Sequence, residues 1–282
     1  MTYRVCVTVV EESTGLLPPR QLIVTVYGLY AREAGGWLSV ASVVRLLADL
    51  GVDEPAVRSS ISRLKRRGLL EARRVGGAAG YALSASAMEI LADGDARIFD
   101  RRRATVEDGW VLVVFSVPEA QRERRHRLRS QLSRLGFGTA APGAWVAPGH
   151  LAADAVEVLR RLGLDGYVEL FRGEHLAFGD LRRNVDRWWD LDGLRARYSE
   201  FLERWGPTRD RWAGEPRPPA DAFADYVRLL TEWRRLPYAD PGLPLDLLPA
   251  GWTGEQAAGL FADLRGRLEG PAHEHARAVV AG

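Results

Sequence analysis

The chain has 282 residues, 46% of them hydrophobic with nine tryptophans, enough for two or three domains with a sizeable core. Its single cysteine, Cys6, excludes an internal disulfide, no apolar run approaches the roughly 20 residues that span a bilayer, and residues 1–19 lack a basic segment followed by an apolar one, so a cytoplasmic protein with no membrane partner is expected. The net charge of +2 is unevenly spread, with +5 over residues 20–103, zero over 104–175 and −2 beyond 175, which places a polyanion-binding region in the first half.

In chain order, Tyr3–Val10 (YRVCVTVV) is β-prone and the following GLLPPR breaks it, so residues 1–19 read as an extension with a strand. From Arg20 to Glu33, Leu22, Ile23, Val26, Leu29 and Tyr30 recur at helical spacing, and Gly35 and Gly36 end the segment. Val40, Val43, Val44, Leu47 and Leu50 mark a second helix that stops at Gly51. The stretch Asp53–Leu70, DEPAVRSSISRLKRRGLL, follows after a turn of a few residues, which is helix-turn-helix spacing. Asp53 can cap it, Pro55 is tolerated in its first turn, and Gly68 closes it. At about 100° per residue, Val57, Ile61 and Leu64 share one face while Ser59, Ser62, Arg63 and Arg66 point the other way, flanked by Arg58. Leu69–Val75, the glycine-rich Gly76–Gly80 and Tyr81–Leu83 then read as strand, turn and strand, a wing. A further helix, capped by Ser84 or Ser86, carries Met88, Leu91 and Ile98 towards Arg101–Arg103.

Trp110–Pro118 (WVLVVFSVP) is a continuous apolar run of strand length and is expected to be a buried strand. A helix over Glu119–Leu135 with Leu128, Leu132 and Leu135 inward, strands in GFGTAAPG and AWVAP, a helix over Leu151–Leu162 and a strand at YVELF complete a βαββαβ order, a ferredoxin-like unit. Beyond Gly173 the spacing is helical, in the sets Leu194, Tyr198, Phe201, Leu202, Trp205, then Phe223, Tyr226, Val227, Leu230, Trp233, then Leu260, Phe261, Leu264, Leu268; the tail after Pro271 is expected to fray. The fold class is therefore α+β. Residues 20–105 form a winged helix-turn-helix domain, 106–175 a ferredoxin-like coupling or dimerisation domain, and 176–282 a small all-helical domain.

The basic face suits double-stranded DNA. Arg63 and Ser59 are assigned to base edges, with Ser62 beside them, because a guanidinium grips guanine O6 and N7 bidentately. Arg58, Lys65, Arg66 and Arg67 are assigned to phosphates, which confer affinity and salt dependence but little sequence information. At the wing, Arg73 and Arg74 supply the charge, since Gly76, Gly77, Ala78 and Ala79 carry none. No catalytic or metal-binding set emerges. His273 and His275 form an H-x-H near the end, read as accidental; His126 and His150 have no partner in sequence; Cys6 reads as a small buried apolar residue. Gly76, Gly77 and Gly80 are not followed by the Lys-Ser or Lys-Thr of a phosphate loop. The alternative function is a metal-dependent nuclease with an appended winged helix, because ferredoxin-like units of this size resemble small CRISPR-adaptation nucleases. Those need a carboxylate at the end of the first strand, where this chain has Ser116, Val117 and Pro118, and Asp108 precedes that strand.

Four stretches, VRSSISRLKRRGLL, the DGW of Asp108–Trp110, GFGTAAPGAWV and DPGLPLDLLPAGWTG, occur in order and together resemble the PaaX family of bacterial repressors of phenylacetate catabolism. The resemblance implies a homodimeric repressor of operator DNA, without a cofactor, released by an effector such as phenylacetyl-CoA or a related acyl-CoA. A homodimer also agrees with one recognition helix per chain, which reads only a few base pairs. For that effector, Arg182, Arg183, Arg187, Trp188 and Trp189 offer basic and aromatic groups suited to phosphate and aryl moieties. The plainer alternative, in which the tryptophans are core and the arginines solvated, carries more weight.

Overall fold

The computed structural model describes residues 17–100, 102–176 and 178–282. The strand expected at Tyr3–Val10, and Cys6 within it, lie outside the described residues. The first helix, α1 (Pro19–Val26), starts on a proline, whose missing N–H is no loss in the first turn, and widens into a π-helical turn over Tyr27–Ala31. Gly35 and Gly36, at φ of 73° and 82°, then reverse the chain into a strand that spacing did not reveal, β1 (Trp37–Ser39). Ser39 ends that strand and caps α2 (Val40–Ala48), its Oγ accepting from the Ser42 amide at 2.9 Å. Next come α3 (Glu54–Arg66), β2 (Leu70–Val75), β3 (Ala78–Leu83) and α4 (Ala85–Phe99), the last capped by Ser84 Oγ, which accepts from the Ala87 amide at 3.1 Å.

The strands form an antiparallel sheet in the order β1-β3-β2. The expected five-residue wing turn is shorter than its composition implied: Ala78, Ala79 and Gly80 belong to β3, and the tip is Gly76-Gly77 alone, with φ of 57° and 82°. Two successive left-handed residues are what a tight type I′ hairpin requires, and its twist matches that of the strands. Gly80 has a different task. It sits between Ser39 and Arg73 in the sheet, and a Cβ there would meet the Leu38 carbonyl oxygen at 2.3 Å and the Trp37 ring at 2.5 Å. That indole instead donates to the Arg73 carbonyl at 3.1 Å, fastening β1 across the sheet.

The middle segment runs β4 (Trp110–Phe115), α5 (Arg122–Arg134), β5 (Gly138–Ala141), β6 (Ala144–Pro148), α6 (Ala152–Arg161) and β7 (Val168–Gly173), in βαββαβ order. Its sheet is fully antiparallel, in the order β5-β6-β4-β7. Contrary to expectation, β4 is buried on one face only: Val111 and Val113 enter the core with Leu128, Leu132 and Leu159, whereas Leu112 and Val114 remain exposed. Strands alternate their side chains, and the helices cover one face of this sheet, so an unbroken apolar run does not by itself mean two buried faces.

Then follow α7 (Leu181–Trp188), α8 (Leu191–Arg211), α9 (Pro219–Trp233), the short α10 (Leu236–Ala239) and α11 (Thr253–Ala281). The tail after Pro271 does not fray. It continues α11 to Ala281 and buries Ala272 and Ala276, while His275 Nε2 lies 2.8 Å from the Asp49 carboxylate and Arg45 donates to the Val279 carbonyl at 2.7 Å. None of the described helices is long and apolar enough to cross a membrane.

Contacts divide the chain into two compact units, each discontinuous in sequence. One joins the residues up to Ile98 to Phe201–Arg235 and Ala258–Gly282; the other joins Phe99–Glu200 to Leu236–Ala257. In the first, α9 packs on α1, with Thr25 and Thr231 hydroxyls 2.7 Å apart, Arg234 donating to the Gln21 carbonyl at 3.1 Å, and Trp233 stacked on Phe261. In the second, the Ala104 amide donates to the Gly242 carbonyl at 2.7 Å, and the Tyr198 hydroxyl to the Asp240 carboxylate at 2.8 Å. Gly80→Ala is expected to destabilise the first unit by about 1–3 kcal/mol through overpacking, whereas Gly76→Asn, which creates an Asn-Gly turn, should leave stability nearly unchanged; urea unfolding of the two variants measures both.

Candidate nucleic-acid interface

The geometry of α3 follows from its ends and its stripe. Asp53 lies outside the helix in extended conformation, and its Oδ1 accepts from the Ala56 amide at 2.7 Å. Pro55 occupies the first turn, where no N–H is needed. Val57, Ile61 and Leu64 are 0%, 2% and 4% exposed and pack towards α1 and α2, joined by the small Ser60. Seating these four residues leaves Arg58, Ser59, Ser62, Arg63, Lys65 and Arg66 exposed, with Arg67 just past the helix end.

The exposed face has internal order. Arg63 Nη2 donates to Ser59 Oγ at 2.9 Å, so the two residues assigned to base edges are neighbours one turn apart and the hydroxyl orients the guanidinium. Arg58 is engaged differently, donating from Nε to Glu54 Oε1 at 2.6 Å. That exposed i,i+4 pair is worth only about 0.3–0.5 kcal/mol, so a phosphate can take the place of the carboxylate at little cost. Glu54 was missed in the sequence reading, although a glutamate four residues before an arginine in a helix is a legible signal. Lys65, Arg66 and Arg67 form no ion pair among the described residues, which leaves their charge uncompensated beside the helix C-terminus. On the wing, Arg73 and Arg74 are both exposed, paired across from Gly80 and Ala79. Adjacent strand residues leave opposite faces of the hairpin, so the two do not serve a single surface.

The remaining candidates sit elsewhere. Trp188 and Trp189 are half-buried against Trp110, with ring centroids 6.0 and 6.1 Å away, and Trp189 covers Gly138 while donating to the Gly136 carbonyl at 2.9 Å. Arg182, Arg183 and Arg187 are exposed; Arg182 donates to the Asp246 carbonyl and Arg187 to Asn184. The tryptophans thus pack as core would, and the basic groups are spread around α7.

Asp108 closes a turn before β4. The Thr105 amide donates to it at 2.8 Å and Arg102 pairs with it, and these contacts, the amide foremost, hold its carboxyl below the usual range. Among the described residues no cluster of three or more His, Cys, Asp or Glu side chains is arranged to hold a metal. The two histidines read as accidental have defined partners: His273 contacts Glu33 at 3.2 Å and the Tyr30 ring, and His275 contacts Asp49.

Family models match this chain in three consecutive pieces. Residues 18–87 match the PaaX-like protein, 103–185 the PaaX protein central Cas2-like domain, and 189–278 the PaaX-like protein C-terminal domain. The chain belongs to the PaaX family. It is 27% identical over 268 residues to the transcriptional repressor PaaX of Escherichia coli (strain K12), covering 93% of this chain and 84% of that protein. Among solved structures it is similar to the uncharacterized protein Rv0674 from Mycobacterium tuberculosis, with a TM-score of 0.57 and 20% identity over 89% of this chain and 97% of that one, a likeness of fold. The PaaX-like match over residues 18–87 contains all of α3 and the wing. Removing the cap by Asp53→Ala is expected to cost about 1 kcal/mol and to loosen the first turn of α3, seen as a lower unfolding midpoint and faster amide exchange there.

Proposed function

We propose that this chain is a DNA-binding transcriptional repressor that holds its operator as a homodimer and releases it on binding an aryl-CoA thioester such as phenylacetyl-CoA. The regulated genes would be an aromatic-acid catabolic operon of the phenylacetate type. The observation that carries the reading is the outward face of α3, where Arg63 is oriented by Ser59 while Arg58, Lys65 and Arg66 surround them. Membership of the family and likeness to a named repressor support a regulator over an enzyme. The nuclease alternative is not favoured, because Ser116 and Val117 stand where a metal ligand is needed and Asp108 is held by Thr105 and Arg102.

In this mechanism Arg63 and Ser59 meet base edges in the major groove, with Ser62 alongside. Arg58 exchanges Glu54 for a phosphate, and Lys65, Arg66 and Arg67 bind phosphates on either side. The acyl-CoA acts by favouring a conformation that binds DNA poorly, so its affinity and that of the operator are reciprocally linked. Arginines and tryptophans of α7 are the residues offered for it, on the chemistry of its phosphate and aryl groups.

The test begins with selection of duplexes from a random pool or from DNA upstream of neighbouring aromatic-acid genes. Arg63→Ala is expected to lower the preference for the selected site over a scrambled one by roughly 10- to 100-fold, equivalent to about 1–3 kcal/mol. Arg67→Ala should keep that preference and reduce the log–log salt slope by about 1. Phenylacetyl-CoA should release the bound DNA in a gel shift, and Trp188→Ala or Arg183→Ala should weaken that release. An undiminished site preference in Arg63→Ala would remove α3 as the reader; retention of the complex across a panel of acyl-CoA thioesters would remove the effector assignment.

A further inference from the structure

A second cationic surface lies outside the α3 face. Helix α5 has six arginines in 13 residues, Arg122, Arg124, Arg125, Arg127, Arg129 and Arg134, against one acid, Glu123. Leu128 and Leu132, both 0% exposed, seat it on the sheet, so the helix has one orientation and a fixed outer face. Two of the arginines are used internally. Arg124 lies over the Tyr167 ring and bonds its hydroxyl, and Arg125 bridges Glu119 and the Val117 carbonyl, at 2.8 and 2.7 Å. Arg122, Arg127 and Arg129 are exposed and make no ion pair or hydrogen bond among the described residues.

The contrast with other helices makes this informative. Arg58, Arg161, Arg265 and Arg267 each pair with a carboxylate four residues away in their own helices, one way this chain neutralises a helical arginine. On α5 the one acid, Glu123, stands four residues before Arg127 but makes no ion pair with it among the described residues, and like charges three or four residues apart, as in Arg122–Arg125–Arg129, lower helix stability. Residues 104–175 are neutral in sum, so this is a local concentration of charge and not a basic domain. Uncompensated cations held on a rigid, exposed face also characterise the end of α3, at Lys65, Arg66 and Arg67.

We propose that the solvent-facing half of α5 is a second, sequence-independent contact for the phosphate backbone of duplex DNA, made by Arg122 and Arg129, which share one flank of the helix, and by Arg127 on the opposite flank, about 140° around from Arg122. The proposal rests on the reading of this chain as a DNA-binding protein. A guanidinium binds phosphate oxygens well and carries no base information when it does so, so α5 contributes affinity and salt dependence while α3 contributes selectivity.

The experiment measures affinity against salt concentration for the full chain on a selected duplex and on a scrambled one. R122Q/R127Q/R129Q is expected to flatten the log–log slope by about 3 × 0.9, so that the unmodified chain loses about 40-fold more affinity than the variant between 50 and 200 mM salt. The ratio of selected to scrambled binding should stay the same, and R122K/R127K/R129K, which keeps the charge, should restore the slope. Retained circular dichroism and unfolding midpoint confirm that the exposed substitutions leave the fold intact. An unchanged slope in the glutamine variant overturns the proposal, whatever other anion α5 then proves to hold. Failure of the α3 reading looks different: the unmodified chain would show no preference for the selected duplex, while the slope on scrambled DNA would still decide for or against α5.

Discussion

The seating of Val57, Ile61 and Leu64 decides what α3 can do. Each fully buried aliphatic side chain of this kind is worth about 1.5–3 kcal/mol relative to exposure, more than all the surface ion pairs of the helix together. Because successive residues differ by about 100°, turning the helix by a single position would carry Arg58 or Lys65 towards the core and expose part of the stripe. The apolar contacts with α1 therefore fix the cationic face without touching it. The polar details, Ser59 on Arg63 and Glu54 on Arg58, then refine an orientation already set by burial.

The elements that could be read in advance are those in which local and global signals agree. Helix α3 has a cap, an early proline, a clean stripe and a terminal glycine, and all four are used as their chemistry suggests. The βαββαβ order was legible because strands and helices alternate with turn residues between them. Other features depended on distant partners. Strand β1 is three residues long, too short for any periodicity, and exists because β3 offers it an edge and Gly80 leaves room for Trp37. The continuation of α11 past Pro271 is stabilised by Ala272 and Ala276 in a packed interior and by His275 against Asp49, a residue 226 positions away in the chain. Likewise, whether β4 is covered on one face or two depends on where helices lie, which an apolar run does not state.

At the candidate site the residue types were legible and their relations only partly so. All nine side chains assigned to DNA from spacing are exposed. The Glu54–Arg58 pair was available from i,i+4 spacing, whereas the tight turn at Gly76-Gly77 shows that Ala78 and Ala79 are strand and not tip. The α7 arginines and tryptophans illustrate the limit of reading by composition: adjacency in sequence joins them, yet Trp188 and Trp189 face β4 and β5 while Arg182, Arg183 and Arg187 remain solvated.

The discontinuous make-up of the first unit has a consequence for how such a protein is handled and how it evolves. Its winged segment shares an interior with α9 and the end of α11, through Thr25 on Thr231 and Arg45 on Val279. It is thus no detachable cassette: a fragment cut after α4 would bare the apolar flank of α1, and a chimaera that grafts this segment onto another protein must carry both C-terminal segments with it. Insertions in the loop between α8 and α9 would, in turn, act on the same folding unit as changes in the helix-turn-helix itself.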